Sequence, residues 1–115
     1  MEEHTQIISI FEKQIQKFIE KKRPPVEIRD KVDLGYSFEK QVLEIFEIRP
    51  RYDDPKIKIY PPVARGKFVK SRNIWKIYWM RASGKWELFS AQPEVETLAD
   101  FFKIIEEDSY GCFWG

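Results

Sequence analysis

The middle of the sequence combines positive charges with aromatic rings in a pattern that suits contact with a polyanion. Residues 55–86 contain nine Lys and Arg residues and no acidic residue. Cations bind phosphates and rings stack on bases, so this mixture is typical of strand surfaces that bind single-stranded nucleic acid. The binding residues predicted on this basis are Arg65, Lys67, Lys70, Arg72, Lys76, Tyr78, Arg81 and Lys85.

The same segment also has the pattern of an aromatic core strand with solvated lysines. Trp75 and Trp79 alternate in step with Ile77, which favours burial of both tryptophans over ligand contact. Tyr78 alternates with Lys76 on the opposite face and is the better candidate for an exposed contact.

Charge is unevenly distributed, although the formal net charge is only +1. Residues 87–115 contain one basic and seven acidic residues, in contrast to the basic segment before them. The folded protein therefore either exposes a basic patch or neutralises it with an acidic C-terminal helix. The sequence leaves both arrangements open.

Carboxylates offer a second possible chemistry. Asp33 on one strand, with Glu44 or Glu47 on the next, could bind a divalent cation through oxygen ligands, as in Mg²⁺-dependent nucleases. The same alternation is typical of the solvated face of a hairpin, which is the interpretation we favour. A nuclease-like enzyme is therefore the alternative to a binding protein.

The sequence lacks the residues that other common kinds of catalytic site require. His4 and Cys112 are the single histidine and the single cysteine, so neither a zinc cluster nor a nucleophile with an activating histidine is expected. The five glycines are scattered rather than grouped in a phosphate-binding loop. We therefore expect no cofactor.

The number of cysteines and the hydropathy of the sequence indicate the cellular compartment in which the protein is expected. A single cysteine cannot form an intramolecular disulfide, which favours a reducing compartment such as the cytoplasm. The first residues carry acidic rather than basic groups, and no run approaches the roughly 20 apolar residues of a membrane span. We expect a cytoplasmic protein without a signal peptide or membrane anchor.

Two amphipathic helices flank the central part of the chain. Apolar residues recur at three- and four-residue steps through "TQIISIFEKQIQKFIEKKR", which predicts a helix at about residues 5–22. Thr5 is its expected cap, and His4 is expected to precede it. "PEVETLADFFKIIEED" predicts a second helix with Pro93 in its first turn.

Strand patterns fill the region between the helices. A hairpin is predicted from Ile28 through "VLEIFEIR", then a break at "RPRYDDPK", a third strand near residues 63–70, and a hairpin of residues 74–81 and 85–90 around Gly84. About five sequential strands predict an antiparallel sheet, with both helices packed on one face. The other face is then free to be exposed.

The C-terminal residues "DSYGCFWG" place aromatic rings where most chains become polar. Gly111 allows the chain to turn, so Phe113 and Trp114 are expected to pack back on the fold, because exposed rings would be an apolar liability. The alternative is an exposed peptide for a partner's groove, with Gly115 leaving its carboxylate accessible.

Several of these stretches together resemble a bacterial family known as domain of unknown function 3024. The resemblance covers nearly the whole chain and is most specific in "IWKIYWMRASGKWELF" and in the closing "GCFWG". It also involves "RPP" with "IRDKVDLGY", "FEIRP" and "PPVARGKFV". It implies a small bacterial protein and brings no activity, substrate or catalytic residue.

The sequence as a whole predicts one α+β domain over residues 1–115. Its predicted role is a non-catalytic binding or interaction module that acts outside the membrane. A protein partner or self-association ranks above nucleic acid, because the low net charge and the acidic C-terminal segment argue against a strongly basic surface.

Overall fold

A computed structural model describes the backbone of residues 2–114 and the side chains of residues 7–114. Its architecture is α+β, with an N-terminal helix, an antiparallel sheet and a C-terminal helix. The elements are α1 (Glu2–Lys22), β1 (Asp33–Glu39), β2 (Val42–Arg51), β3 (Asp54–Ile59), β4 (Pro62–Val69), β5 (Ile74–Met80), β6 (Trp86–Leu88), β7 (Glu94–Val95) and α2 (Leu98–Glu107). No helix of this described part is long and apolar enough to span a membrane.

The sheet has seven strands rather than the predicted five or so. Its main order is β1-β2-β4-β5-β6, while β3 pairs with β2 and β7 pairs with β5. Residues 42–46 of β2 pair with β4, and residues 49–51 pair with β3. Strand β1 ends its pairing with β2 at Ile48, so β2 and β3 continue beyond the sheet as a two-stranded arm.

The predicted break at "RPRYDDPK" does contain a turn, but the residues on either side of that turn belong to β2 and β3. Residues 52–53 make the turn, and the chain returns as β3. Tyr52 is 97% exposed. Local patterns missed β3 because prolines are tolerated on an edge strand that pairs on one side only.

The predicted element boundaries also need correction at three other points. Helix α1 begins at Glu2, so the backbone of His4 and Thr5 lies inside it rather than before it or at its cap; their side chains are outside the described residues. Ile28 ends a short 3₁₀ turn and does not begin β1. The residues after Pro93 form β7, and α2 starts later, where the Thr97 hydroxyl accepts a hydrogen bond from the Asp100 amide at 3.0 Å.

Both helices pack on the same face of the sheet and bury an aromatic core. Trp75 is 1% exposed, and Phe101 and Ile77 are fully buried. The rings of Phe18 in α1 and Phe102 in α2 stack with their centroids 4.2 Å apart. The prediction that Trp75 belongs to the core is therefore confirmed.

The C-terminal tail packs on the fold, as predicted. Phe113 is buried, with its ring 5.1 Å from that of Phe89. Asp108 adopts a left-handed conformation after α2, and its carboxylate accepts hydrogen bonds from the Phe113 and Trp114 amides at 3.0 and 2.8 Å. The Trp114 indole N–H donates to the Ile105 carbonyl at 2.7 Å. Gly115 lies outside the described residues.

An ion pair joins the end of α1 to the start of β1. The Arg23 guanidinium donates two hydrogen bonds, at 2.9 and 2.8 Å, to the Asp33 carboxylate, which also accepts one from the Leu34 amide. The hydrogen bonds from Arg23 hold the pKa of Asp33 below its ordinary value, although partial burial opposes this. The stabilisation of the fold by this ion pair is fully present at pH values above the pKa of Asp33 in the unfolded chain. It is lost as the pH falls through the lower pKa that Asp33 has in the folded protein.

We therefore expect Asp33→Asn to destabilise the protein at neutral pH. The stability difference from the wild type should begin to narrow as the pH falls below about 4, where the carboxyl becomes protonated in the unfolded chain. It should vanish only below the lower folded pKa, where the carboxyl of the folded wild type is protonated as well. Urea unfolding at a series of pH values measures this difference. Asp30→Asn, at an exposed aspartate, is the control and should show little difference at any pH. A difference for Asp33→Asn that does not change with pH would contradict this prediction.

Candidate functional site

The sheet face opposite the helices is the candidate site, and we call it the outer face. Arg65 lies directly opposite Tyr78, and Lys67 directly opposite Lys76, on the neighbouring strands β4 and β5. Directly opposed residues in an antiparallel pair point to the same face. The outer face therefore combines charged and apolar side chains: Glu44, Phe46, Arg65, Lys67, Lys76, Tyr78, Met80, Trp86, Leu88 and Glu94.

Arg65 lies at the centre of the outer face and is held by two neighbours. Its Nη2 donates to both carboxylate oxygens of Glu44 at 3.3 Å, and its guanidinium carbon lies 4.8 Å from the centroid of the Trp86 ring. This distance is typical of a cation–π contact. The Arg65 Nε is buried and has no hydrogen-bond partner among the described residues. Arg65 is thus a fixed positive charge over an aromatic ring.

The two lysines beside Arg65 are more available for contact. Lys67 is exposed and Lys76 is partly buried. Neither forms an ion pair within the described part of the chain. Tyr78 is also partly buried, while Trp79 packs on the core side. The alternation read from the sequence therefore placed these side chains on the correct faces.

The other four predicted binding residues lie at the two ends of β5. Lys70 and Arg72 are in the turn before β5, and Arg81 and Lys85 are in the turn after it. The eight residues are therefore not one continuous surface. The outer face itself brings together Arg65, Lys67, Lys76 and Tyr78.

The arginines of these two turns are paired with acidic residues. Arg72 donates to the Glu94 carboxylate at 2.7 and 2.9 Å, which lowers the pKa of Glu94 and raises that of Arg72. Arg81 lies 3.6 Å from Glu87. These two arginines thus pair with acidic residues of β7 and β6, whereas Arg65 pairs with Glu44 of β2.

The acidic helix α2 does not neutralise the basic segment. It packs on the helical side of the sheet, away from the outer face, and no ion pair in the described range joins it to residues 55–86. The residues of the acidic C-terminal segment that do pair with the basic segment are Glu94 and Glu87, which precede α2.

The carboxylates considered for a metal site are held apart. Asp33, Glu44 and Glu47 each pair with a different arginine. Asp33 lies opposite Ile48, four residues along β2 from Glu44, a separation of about 13 Å at the usual strand rise. The part of the chain that the structure describes contains no group of three or more metal-ligating side chains. Asp33 and Glu44 are therefore too far apart to share a divalent cation, and Glu47, opposite Leu34, points to the other face of the β1–β2 pair from Asp33.

Sequence reasoning did not identify two parts of the outer face. Glu44 becomes the partner of Arg65 because β2 and β4 pair in that register, although 21 residues separate them in the chain. Trp86 lies opposite Met80 because of the turn between β5 and β6. The position of Trp86 could have been predicted from the sequence, since a short hairpin around Gly84 determines which residues of the two strands lie opposite each other.

Comparison with known proteins adds a family and no activity. The family model described as "Domain of unknown function (DUF3024)" matches residues 1–115, the whole chain. No curated protein and no solved structure matches the chain significantly.

Proposed function

Because the chain belongs to the family of the domain of unknown function DUF3024, whose description names no activity, we propose a function from the geometry of the outer face. The proposed function is that of a non-catalytic module that binds single-stranded nucleic acid. One observation carries the proposal: two adjacent cross-strand pairs, Arg65 with Tyr78 and Lys67 with Lys76, lie on the face that neither helix covers.

The chemistry of these side chains suits such a ligand. Lys67 and Lys76 offer ammonium groups to phosphates, and Tyr78 and Trp86 offer rings on which bases can stack. Arg65 is already oriented over Trp86, so less side-chain freedom is lost on binding. An extended chain that crosses β4, β5 and β6 would contact all five residues.

The charge arrangement favours nucleic acid over a protein partner on this face. From the sequence alone, the low net charge and the acidic C-terminal segment favoured a protein partner over nucleic acid. However, the acidic residues of α2 lie on the opposite side of the sheet from the lysines. On the outer face, Glu44 lies opposite Arg65 and Glu94 opposite Lys76, whereas Lys67 lies between Val42 and Lys76 and has no acidic residue directly opposite it.

The β2–β3 arm supports a second candidate, contact with a protein partner or with a second copy. Along it, Tyr52, Ile57, Ile59 and Tyr60 are 97, 40, 38 and 58% exposed. Strand β3 also pairs on only one side. Exposed apolar side chains on an unpaired edge are typical of association surfaces.

Titration of the protein's tryptophan fluorescence with random-sequence single-stranded RNA and DNA tests the first candidate. Two phosphate contacts, at Lys67 and Lys76, predict a slope of about −1.4 for log affinity against log salt, and hence roughly 7-fold weaker binding at about 200 mM than at about 50 mM salt. A duplex of the same sequence length is the ligand control and should bind more weakly. Absence of binding at the lower salt would refute the proposal. A molecular mass that increases with protein concentration would then support the second candidate, self-association through the β2–β3 arm.

A further inference from the structure

A cavity of about 280 Å³ lies on the helical side of the sheet, between the start of α1 and two strand turns. It is separate from the outer face. Helix α1 contributes Ile7, Ile8 and Phe11 to its lining. The β1–β2 hairpin and the β4–β5 hairpin supply the remaining walls.

The apolar part of the lining is a cluster of aromatic rings. The Phe11 ring lies 6.4 Å from that of Phe38 and 5.0 Å from that of Phe68, in edge-on contacts. Beneath them, Trp75 is 4.9 Å from Phe11 and 1% exposed. These mutual contacts fix the rings, so this part of the cavity is preformed and apolar.

Polar side chains from the two turns form the rest of the lining. Gln41 ends the β1–β2 turn, and Lys70 and Asn73 belong to the β4–β5 turn. The turns are held by backbone hydrogen bonds, from the Phe68 amide to the Gln41 carbonyl at 2.9 Å and from the Asn73 amide to the Lys70 carbonyl at 3.3 Å. Lys70 is exposed and forms no ion pair with the residues that the structure describes.

We propose that this cavity binds a small amphipathic carboxylate, with its apolar chain against the phenylalanine rings and its carboxylate at Lys70. Aromatic walls favour an apolar group, whereas one cation with two amide groups favours a single negative charge over a neutral or a positive head group. At roughly 30 Å³ for each water-sized group, the volume admits about nine non-hydrogen atoms. This is close to the roughly ten non-hydrogen atoms of an eight-carbon carboxylate, and the inference does not depend on the outer face.

Calorimetric titration of the intact protein with octanoate and with octan-1-ol tests the inference. The two probes share the alkyl chain and differ in the charge of the head group. We expect octanoate to bind roughly 10-fold more tightly than octan-1-ol, because only its head group gains a charge-assisted hydrogen bond from Lys70. Lys70→Ala should weaken the binding of octanoate by a similar factor and leave the affinity for octan-1-ol unchanged.

A second variant tests the cavity itself. Ile8→Trp places a larger side chain in the cavity and should abolish binding of both probes, while its thermal midpoint shows whether the fold is intact. Lys85→Ala, at another exposed turn lysine, should bind both probes like the wild type. Failure of octanoate to bind the wild type at millimolar concentration, or an unchanged octanoate affinity in Lys70→Ala, would overturn the inference.

Discussion

Deletion of residues 112–115 should lower the thermal midpoint by roughly 10 °C or more. Phe113 is 6% exposed and packs on Phe89, and loss of a buried Phe costs about 3–5 kcal/mol. About 3 kcal/mol corresponds to a fall of roughly 10 °C in a chain of this length. The deletion also leaves the Asp108 carboxylate without the two amides that it accepts from. Differential scanning calorimetry measures the change.

Single substitutions show how much each interaction of the tail contributes to the fall in the thermal midpoint. Phe113→Ala should account for most of it, and Asp108→Ala should cause a smaller loss by removing the acceptor and placing Ala at a positive φ of 41°. Ser109→Ala, at an exposed residue of the same segment, is the matched control and should melt close to the wild type. An unchanged midpoint after the deletion would mean that the tail does not stabilise the fold, and would favour its presentation to a partner.

The double substitution Lys67→Glu with Lys76→Glu should weaken binding of single-stranded nucleic acid by roughly 100-fold or more at low salt. Removal of two phosphate contacts should also make the salt slope shallower by about 1.4. Both side chains lie on the outer face, directly opposite each other. The variant replaces one like-charged pair by another, but Lys76→Glu also places a second carboxylate opposite Glu94 of β7. The thermal midpoint of the variant is therefore measured alongside its affinity.

Lys56→Glu with Lys58→Glu is the matched control, because it changes the net charge equally at two exposed residues of β3. If binding depends on the outer face, the control should lose far less affinity than the test variant. Equal losses in the two variants would mean that overall charge, rather than this face, governs binding, and the proposed site would be wrong.

Much of the secondary structure could be predicted from the chain because the signals are local. Period-3.6 spacing placed α1 and α2, and the paired aromatic runs around Gly84 placed β5 and β6. The predictions were wrong where structure depends on a distant partner. Strand β7 consists of Glu94 and Val95 only, and such a short strand forms because β5 is adjacent to it.

The candidate site was predictable only in part, for the same reason. Alternation assigned Lys76 and Tyr78 to one face and Trp75 to the other, because successive strand residues point to opposite sides. It could not show that Lys70 lines a cavity on the helical side while Lys67, three residues earlier, lies on the outer face. The turn between β4 and β5 sets that difference.

The sequence by itself determined the α+β composition, the two amphipathic helices and the buried tryptophan of β5. Each follows from the size, polarity and spacing of residues close together in the chain. Tertiary structure alone decided the pairing of Arg65 with Glu44, the position of α2 on the side away from the lysines, and the cavity beneath α1. These depend on strand register and helix placement, which arise from contacts between residues far apart in the chain.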